Sequence, residues 1–363
     1  MANVTLPVLE VNFKQLLATF IERSERGIAI LIVRDDTDKS YNYKKYVEQE
    51  DLDKDKALYT NDNFQYLSDV ISFGVAELSV IRIDEDDEIT VGLNLIATKL
   101  KTGWISTVGT AEDYTAINSW IKARANEGKT YQALTYKSTA PDHPMITNFT
   151  NPSVTFLEEA RGKRNGVEYL PSLLAIACVC NVTRGMTYFV CKNLKEVEPV
   201  ADVTNSLNNG ELILINDFDC VRVGTAINSL VTIDESKGIF DDMRYIEIME
   251  ATNMMKDDIR DIYKTKYVGA CKNSTDNQMI FISAVNTYFE GLADSEILDN
   301  AYDNYAYINI NKQRKAWETV KPEAKTWDDT KVKNMTFKRS TFLGADIKVL
   351  GSMMNLDFDV YMA

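Results

Sequence analysis

The side chains that could carry chemistry are few in this chain and poorly placed for it. The single histidine, His143, lies between Pro141 and Pro144. A triad would need that ring held as a base, and no nucleophile elbow accompanies it, so it reads as a surface-loop histidine. Gly128-Lys129-Thr130 imitates the end of a phosphate loop, but the glycine required five residues earlier is Ala123. The polarity is also reversed, because a phosphate loop precedes its helix whereas this glycine follows one and reads as a helix C′ residue. The acidic run Asp84-Glu85-Asp86-Asp87-Glu88 lacks the alternating ligands and central glycine of a calcium loop. It reads as a solvated turn, with docking against a basic neighbour as the other use. Cys178 and Cys180 have no second pair at ligand spacing, and the histidine is distant. No metal site, cofactor site or catalytic residue is expected.

Composition narrows the class further. At 363 residues the chain exceeds what one core usually holds. With 45% hydrophobic and 26% charged residues it reads as globular. A formal net charge of −14 argues against direct nucleic-acid binding, which draws its affinity from basic side chains. The five cysteines Cys178, Cys180, Cys191, Cys220 and Cys271 are odd in number, lie in apolar surroundings and read as reduced core thiols. Neither an export signal nor a membrane-length apolar run is seen, so a soluble protein of the cytoplasm is expected.

The elements that would position any site alternate regularly from Gly27 to Lys137. Strands are expected at 28–33, 78–83, 104–108 and 131–136, and helices at 63–73, 89–100 and 111–127, which favours an open α/β sheet with parallel strands. A helix around 152–161 and a strand at 186–190 follow. A polar run through Asn205, Ser206, Asn208, Asn209 and Gly210 marks a boundary, after which a second domain begins at Glu211. In that second half, one helix shows Ile246, Met249, Met255, Ile259, Ile262 and Tyr263 as its apolar face, with Glu247, Glu250, Lys256, Asp257, Arg260 and Asp261 on the wet side. A second helix carries Met279, Ile282, Val285, Phe289 and Leu292 on one stripe. Tyr305 to Ile310 reads as a strand. The charged insertion after it contains Trp317 and Trp327, which either pack on the host domain or touch a neighbouring subunit.

The chain end alternates strictly: Met354, Leu356, Phe358, Val360 and Met362 against Asn355, Asp357, Asp359 and Tyr361, the pattern of a half-buried strand. Near the start Val4, Leu6 and Val8 alternate, and beyond Pro7 the phase shifts to Leu9, Val11 and Phe13, which suggests a bend or bulge. Read from the residues alone, both termini pair within their own subunit.

An ordered series then points to a family. Arg222, Ala226-Ile227-Asn228-Ser229-Leu230, Asp257-Asp258-Ile259-Arg260, Tyr267-Val268-Gly269 with Asn273, and Tyr288-Phe289-Glu290-Gly291-Leu292 together resemble the C-terminal domain of contractile tail sheath proteins of myophages, defective prophages and R-type bacteriocins. Leu6-Pro7, Phe13, Ile21 to Ala29 and Ile32 to Asp36, Tyr169 to Ala175 with Met186-Thr187-Tyr188, and Ser340 to Lys348 are similar to other parts of the same family, so the resemblance reaches both ends. The segment Leu350 to Asn355 departs from it, lacking the acidic residues often found there.

The resemblance implies a fold of class α/β: an outer domain on an open α/β sheet, plus an α+β C-terminal sheath domain with extended N- and C-terminal strand arms. It implies an arm at 1–20, an outer domain at 21–209, a sheath domain at 210–345 and a second arm at 346–363. It also implies that the arms add strands to neighbouring subunits, with Leu6, Val8, Val11, Met354, Leu356, Phe358 and Val360 as the exchanging residues. Pro7 suits an edge strand, since it cannot donate a hydrogen bond. The function implied is a mechanical subunit that polymerises as stacked sixfold rings around an inner tail tube protein, meets baseplate and tail terminator proteins, and contracts to drive the tube through an envelope. Assembly is expected in the bacterial cytoplasm, with release by lysis, and without direct nucleic acid or membrane insertion. A non-contractile shell or tube protein, and an α/β-sheet enzyme, are the alternatives. Repulsion among copies carrying −14 each makes assembly sensitive to ionic strength.

Overall fold

A computed structural model describes Ile21, Arg23 and residues 27–362. Two compact units emerge within the described residues: one of residues 27–257, 295–297 and 349–362, the other chiefly of 258–294 and 298–348. The division falls inside a helix at Asp257/Asp258, not at 209/210 as the polar run suggested.

The first unit is built on a seven-stranded sheet in the order β10-β6-β5-β4-β1-β3-β2. In chain order the elements are β1 (Ile28–Arg34), β2 (Tyr43–Tyr46), α1 (Gln49–Lys54), α2 (Asn61–Ser72), β3 (Glu77–Ile83), α3 (Ile89–Lys99), β4 (Thr102–Thr107), α4 (Ala111–Asn126), β5 (Thr130–Tyr136) and β6 (Ile146–Phe149). All pairings are parallel except that of β2 with β3. Buried on both faces, the strands read as near-continuous apolar runs, such as Ala29-Ile30-Leu31-Ile32-Val33. The path from β1 to β3 moves one way along the sheet and the paths from β3 to β4 and β4 to β5 move the other. Right-handed crossovers therefore put α2 on one face and α3 and α4 on the opposite one.

Local chemistry fixes the helix starts. Thr60 caps α2, and Thr110 and Asp113 form a reciprocal capping box on α4. Gly128, with φ +82°, follows α4 as the C′ residue. The next helix, α5 (Leu170–Val179), is buried almost throughout and packs on β1, β4, β5 and α2. Gly27 passes so close over it that a Cβ would sit 2.5 Å from the Cys178 carbonyl oxygen, which leaves room only for hydrogen.

A three-stranded antiparallel sheet contains β7 (Ser153–Phe156), β8 (Lys163–Asn165) and β9 (Leu194–Val197). The expected helix at 152–161 is thus a strand and turn, because Val154 and Phe156 alternate inward with Ser153 and Thr155 in the ladder. Residues 186–190 form turns with a single bridge from Val190 to Arg222, not a strand. After α6 (Val203–Asn208), β10 (Glu211–Leu212) joins the large sheet beside β6, so Glu211 does not open a separate unit. A hairpin of β11 (Leu214–Asp217) and β12 (Cys220–Val223) follows. The polar residues of 226–230 are buried locks: Asn228 donates to the Met243 carbonyl at 2.7 Å, and Ser229 donates its N–H to Ile146 and its hydroxyl to the His143 carbonyl.

Helix α7 (Ile246–Ile262) ends in a single π turn, and Gly269 takes φ +77° just beyond. Its wet side differs from the sequence reading. Glu250 and Asp257 are buried, Glu250 accepting from Trp104 Nε1 at 2.6 Å and from Gln132 Nε2, and Asp257 from Thr130 Oγ1. Periodicity placed them outside, whereas polar residues on β4 and β5 give them partners inside.

In the second unit α8 (Thr275–Asp294) buries Phe281, Ile282, Val285, Tyr288, Phe289 and Leu292, while Met279 is exposed. It packs on the ribbon formed by β13 (Tyr305–Ile308) and β14 (Leu343–Asp346). Between them, α9 (Ile310–Glu318) and α10 (Asp329–Asn334) fold together around Gln313, which donates to the Val332 and Met335 carbonyls. Trp317 packs on Trp327 and edge-on to Phe337, so the tryptophans do serve their host unit.

Asp69 on α2 is buried and paired with Arg161 at 2.8 Å, and the guanidinium lies over the Phe156 ring. Removing one partner strands the other charge. Arg161→Ala is expected to cost about 3 kcal/mol in urea unfolding, and Arg161→Met with Asp69→Leu to recover most of it. Equal losses in both variants would contradict this reading of the pair.

Candidate assembly site

The ribbon β13–β14 presents a backbone edge that is unpaired among the described residues. Asn309 donates its N–H to the Phe342 carbonyl at 2.8 Å, which makes 309 and 342 a hydrogen-bonded pair. Alternation then directs the peptide groups of Tyr305 and Tyr307 toward β14 and those of Ala306 and Ile308 away from it. The outward N–H of Ala306 is taken by Asn286 Oδ1 on α8, at 2.7 Å. That side chain covers part of the β13 edge. On the far side of β14, Leu343 and Ala345 turn their peptide groups outward, and neither hydrogen-bonds to any described residue. A two-stranded ribbon is marginal by itself, and packing on α8 supports this one.

Asn273 sets the approach to β14. Its Nδ2 donates to the carbonyls of Phe337, Lys338 and Ser340, and its Oδ1 accepts from Gln278 and Thr341. One amide thus ties the start of α8 to the segment entering the strand. At the far end Lys348 pairs with Asp299 at 2.7 Å, and that hydrogen bond holds the Asp299 carboxyl below its usual pKa.

The chain end supplies the complementary feature. Ser352 is the last anchored residue: its N–H and hydroxyl both donate to the Glu247 carboxylate, at 2.8 and 2.5 Å. Beyond it, residues 353–362 form neither strand nor hydrogen bond with any described residue. Met354, Leu356, Phe358 and Val360 are 41, 88, 75 and 70% exposed. The half-buried strand within its own subunit is therefore absent among the described residues. Leu6, Val8 and Val11 lie outside them. Sequence reasoning found the alternating segment but missed Leu343, Ala345 and Asn286, since a free edge is a property of pairing and leaves no mark in residue type.

Groups that could carry chemistry elsewhere are engaged in the fold. The sheet reverses its strand order beside β1, the position where open α/β sheets bind ligands. There Arg34 donates to both carboxylate oxygens of Asp113, at 3.0 and 2.8 Å. Burial pushes that carboxyl up, but the guanidinium and the Thr110 N–H outweigh it and hold the pKa below the usual range. Nearby Asp35 accepts from the Thr60 N–H and from Asn63 Nδ2, both at 2.8 Å. In the acidic run, Asp84 pairs with Arg82 and Lys39. Cys178, Cys180 and Cys191 are buried and outside any disulfide, and burial pushes the latter two thiols up to about 12; Cys271, expected in the core, is exposed. No group of three metal-ligating side chains occurs among the described residues, and no described helix is long and apolar enough to cross a membrane.

Residues 241–363 match the family model of the phage tail sheath C-terminal domain. Over 98% of its own length and 98% of the relative's, the chain is 25% identical to the tail sheath protein of Clostridium phage phiCD119. The fold superimposes on the sheath tail protein of Desulfitobacterium hafniense with a TM-score of 0.68, at 13% identity, covering 83% of this chain and 94% of that one. It also superimposes on the helical sheath of the anti-feeding prophage in its contracted state, with a TM-score of 0.70 at 11% identity over 98% and 99% of the two chains. The α/β fold class and the family resemblance drawn from the residues both stand.

His143 is half-buried rather than on the surface. Its Nδ1 accepts the Met145 N–H at 3.2 Å, and Ser229 bonds to its backbone, not its ring. Burial, with nearby Lys122, lowers the ring pKa from 6.5 to about 4. Because the folded value lies below the unfolded one, the neutral ring's stabilisation is complete above about pH 6.5 and is lost as the pH falls toward 4. The loss should be on the order of 2–3 kcal/mol, and His143→Gln should flatten it. As the only histidine, its NMR titration is unambiguous, and a midpoint at or above 6.5 would contradict this.

Proposed function

We infer that this chain is a contractile tail sheath protein, a structural subunit that polymerises as stacked rings around an inner tail tube and contracts to drive that tube through a target envelope. The observation that carries the mechanism is the pairing, in one chain, of an open edge at Leu343 and Ala345 with an unpaired, alternating segment at 354–362. The match of residues 241–363 to the sheath C-terminal domain supports the same reading.

The segment from one copy adds beside β14 of a neighbour. Met354, Leu356, Phe358 and Val360 then face the apolar side of the ribbon, where Ala306 and Ile308 are buried against α8. Asn355, Asp357 and Asp359 face outward. Each large apolar side chain buried contributes about 2 kcal/mol, and each ladder bond about 1. Ordering the segment costs about 1–2 kcal/mol per residue, most of that gain. A single arm is therefore a weak link, and cohesion comes from the lattice as a whole. Leu6, Val8 and Val11 add a second exchanged strand in the same way.

Such links suit a machine with two packings of a rigid subunit. Backbone ladders persist while domains rotate, and free energy is released at faces that form new contacts. The arm-accepting unit at 258–348 builds the lattice, and the unit on the seven-stranded sheet forms the outer body. Sixfold rings, the tube, the baseplate and a terminator are the partners. Assembly takes place in the bacterial cytoplasm, and lysis releases the particle.

Deleting Met354 to Ala363 tests this. The subunit should remain folded with unchanged near-UV circular dichroism, and long sheaths should be lost from electron micrographs. Long sheaths of normal diameter from the truncated chain would refute strand exchange.

A further inference from the structure

The hairpin β11–β12 turns through Phe218 and Asp219, and Phe218 stands at φ +49° with its ring fully exposed. Two-residue hairpin loops favour glycine at this first central position, because an L side chain in the left-handed region is strained. An aromatic residue here carries backbone strain and leaves a large apolar ring in water, and no described residue covers that ring. Strain held at an exposed tip is a signature of function. The tip is also firmly supported: Arg222 donates to Asp217 at 2.6 Å and to the Tyr188 carbonyl at 3.2 Å. Asp219 beside the ring is exposed and without an ion-pair partner among the described residues.

A cavity of about 540 Å³ in the unit of residues 258–348 has the complementary character. Tyr263 and Tyr267 stack there at 6.0 Å, and Phe281 meets both rings edge-on at 5.2 and 4.8 Å. Lys272, Lys338 and Arg339 line it, and none forms an ion pair among the described residues. Among the described residues no carboxylate lines the cavity, in a chain whose net charge is −14. Gln278 is 4% exposed, and its Oε1 has no hydrogen-bond donor among the described residues, so the wall offers an acceptor to an incoming N–H.

We propose that this cavity receives Phe218 of a second copy of the chain, the ring entering among Tyr263, Tyr267 and Phe281 and the Asp219 carboxylate facing Lys338 and Arg339. Knob and hole are different surfaces of one chain, so the contact is heterologous and propagates through a polymer. The proposal rests on the sheath reading for its second copy and is independent of the strand arms. The triplet Asp-Phe-Asp recurs at 357–359, but only Phe218 is held in a fixed, strained conformation.

Cys271 is exposed and lines the cavity, which supplies a handle for the test. In polymers of full-length Phe218→Cys, a short bismaleimide should give a ladder of covalent oligomers, and adding Cys271→Ser should abolish it. Phe218→Gly relaxes the turn, so the subunit's Tm should hold or rise while the critical concentration for polymerisation increases about tenfold. Polymers that give no more ladder than the Cys271→Ser control, a ladder from Phe358→Cys in place of Phe218→Cys, or an unchanged critical concentration for Phe218→Gly would each overturn the proposal and leave the sheath reading standing. Failure of the unmodified chain to polymerise would overturn both.

Discussion

A β-strand edge is a row of peptide groups that must find partners, and two such rows stand out among the described residues. One is the outer side of β14, where Leu343 and Ala345 have no partner among the described residues; the other is the segment after Ser352. Folded proteins usually blunt their edges with charge, bulges or covering elements. Here the β13 edge is partly covered, by Asn286 from α8. An exposed edge and an exposed alternating segment in one chain are a hazard in a monomer and a means of coupling copies in a polymer.

The rest of the chain supplies rigidity. The parallel sheet is buried on both faces, and the place at its strand reversal where other α/β proteins hold a ligand contains the Arg34–Asp113 pair and the hydrogen bonds of Asp35. Glu250 and Asp257 have their carboxylates fixed by Trp104, Gln132 and Thr130. Buried polar groups that are fully bonded specify one arrangement and resist local opening. In the smaller unit the Asn273 amide, bonded through both its nitrogen and its oxygen, does the same for the approach to β14.

Legibility in the sequence followed the physics of each element. The strands and helices from 28 to 136 announce themselves because apolar runs and periodic faces there are long and uninterrupted. Segment 152–161 misleads because Pro152 and a run of charges imitate a helix start, while the deciding fact is the pairing of Val154 and Phe156 with β9. Glu250 and Asp257 were placed on the wet face because helical period cannot see partners more than a hundred residues away. The boundary suggested at Gly210 is a real turn, yet the next two residues complete the large sheet. The alternation at 354–362 is legible in the sequence; the open edge of β14 is not, since only the register of β13 with β14 reveals which peptide groups point outward.

Hydrogen exchange read residue by residue, on the free subunit and on the assembled polymer, addresses the central claim most directly. Amides of residues 353–362 and of Leu343 and Ala345 should exchange at unprotected rates in the free subunit and become strongly protected together in the polymer. Polymers in which both segments keep exchanging freely would contradict strand addition as the link between copies.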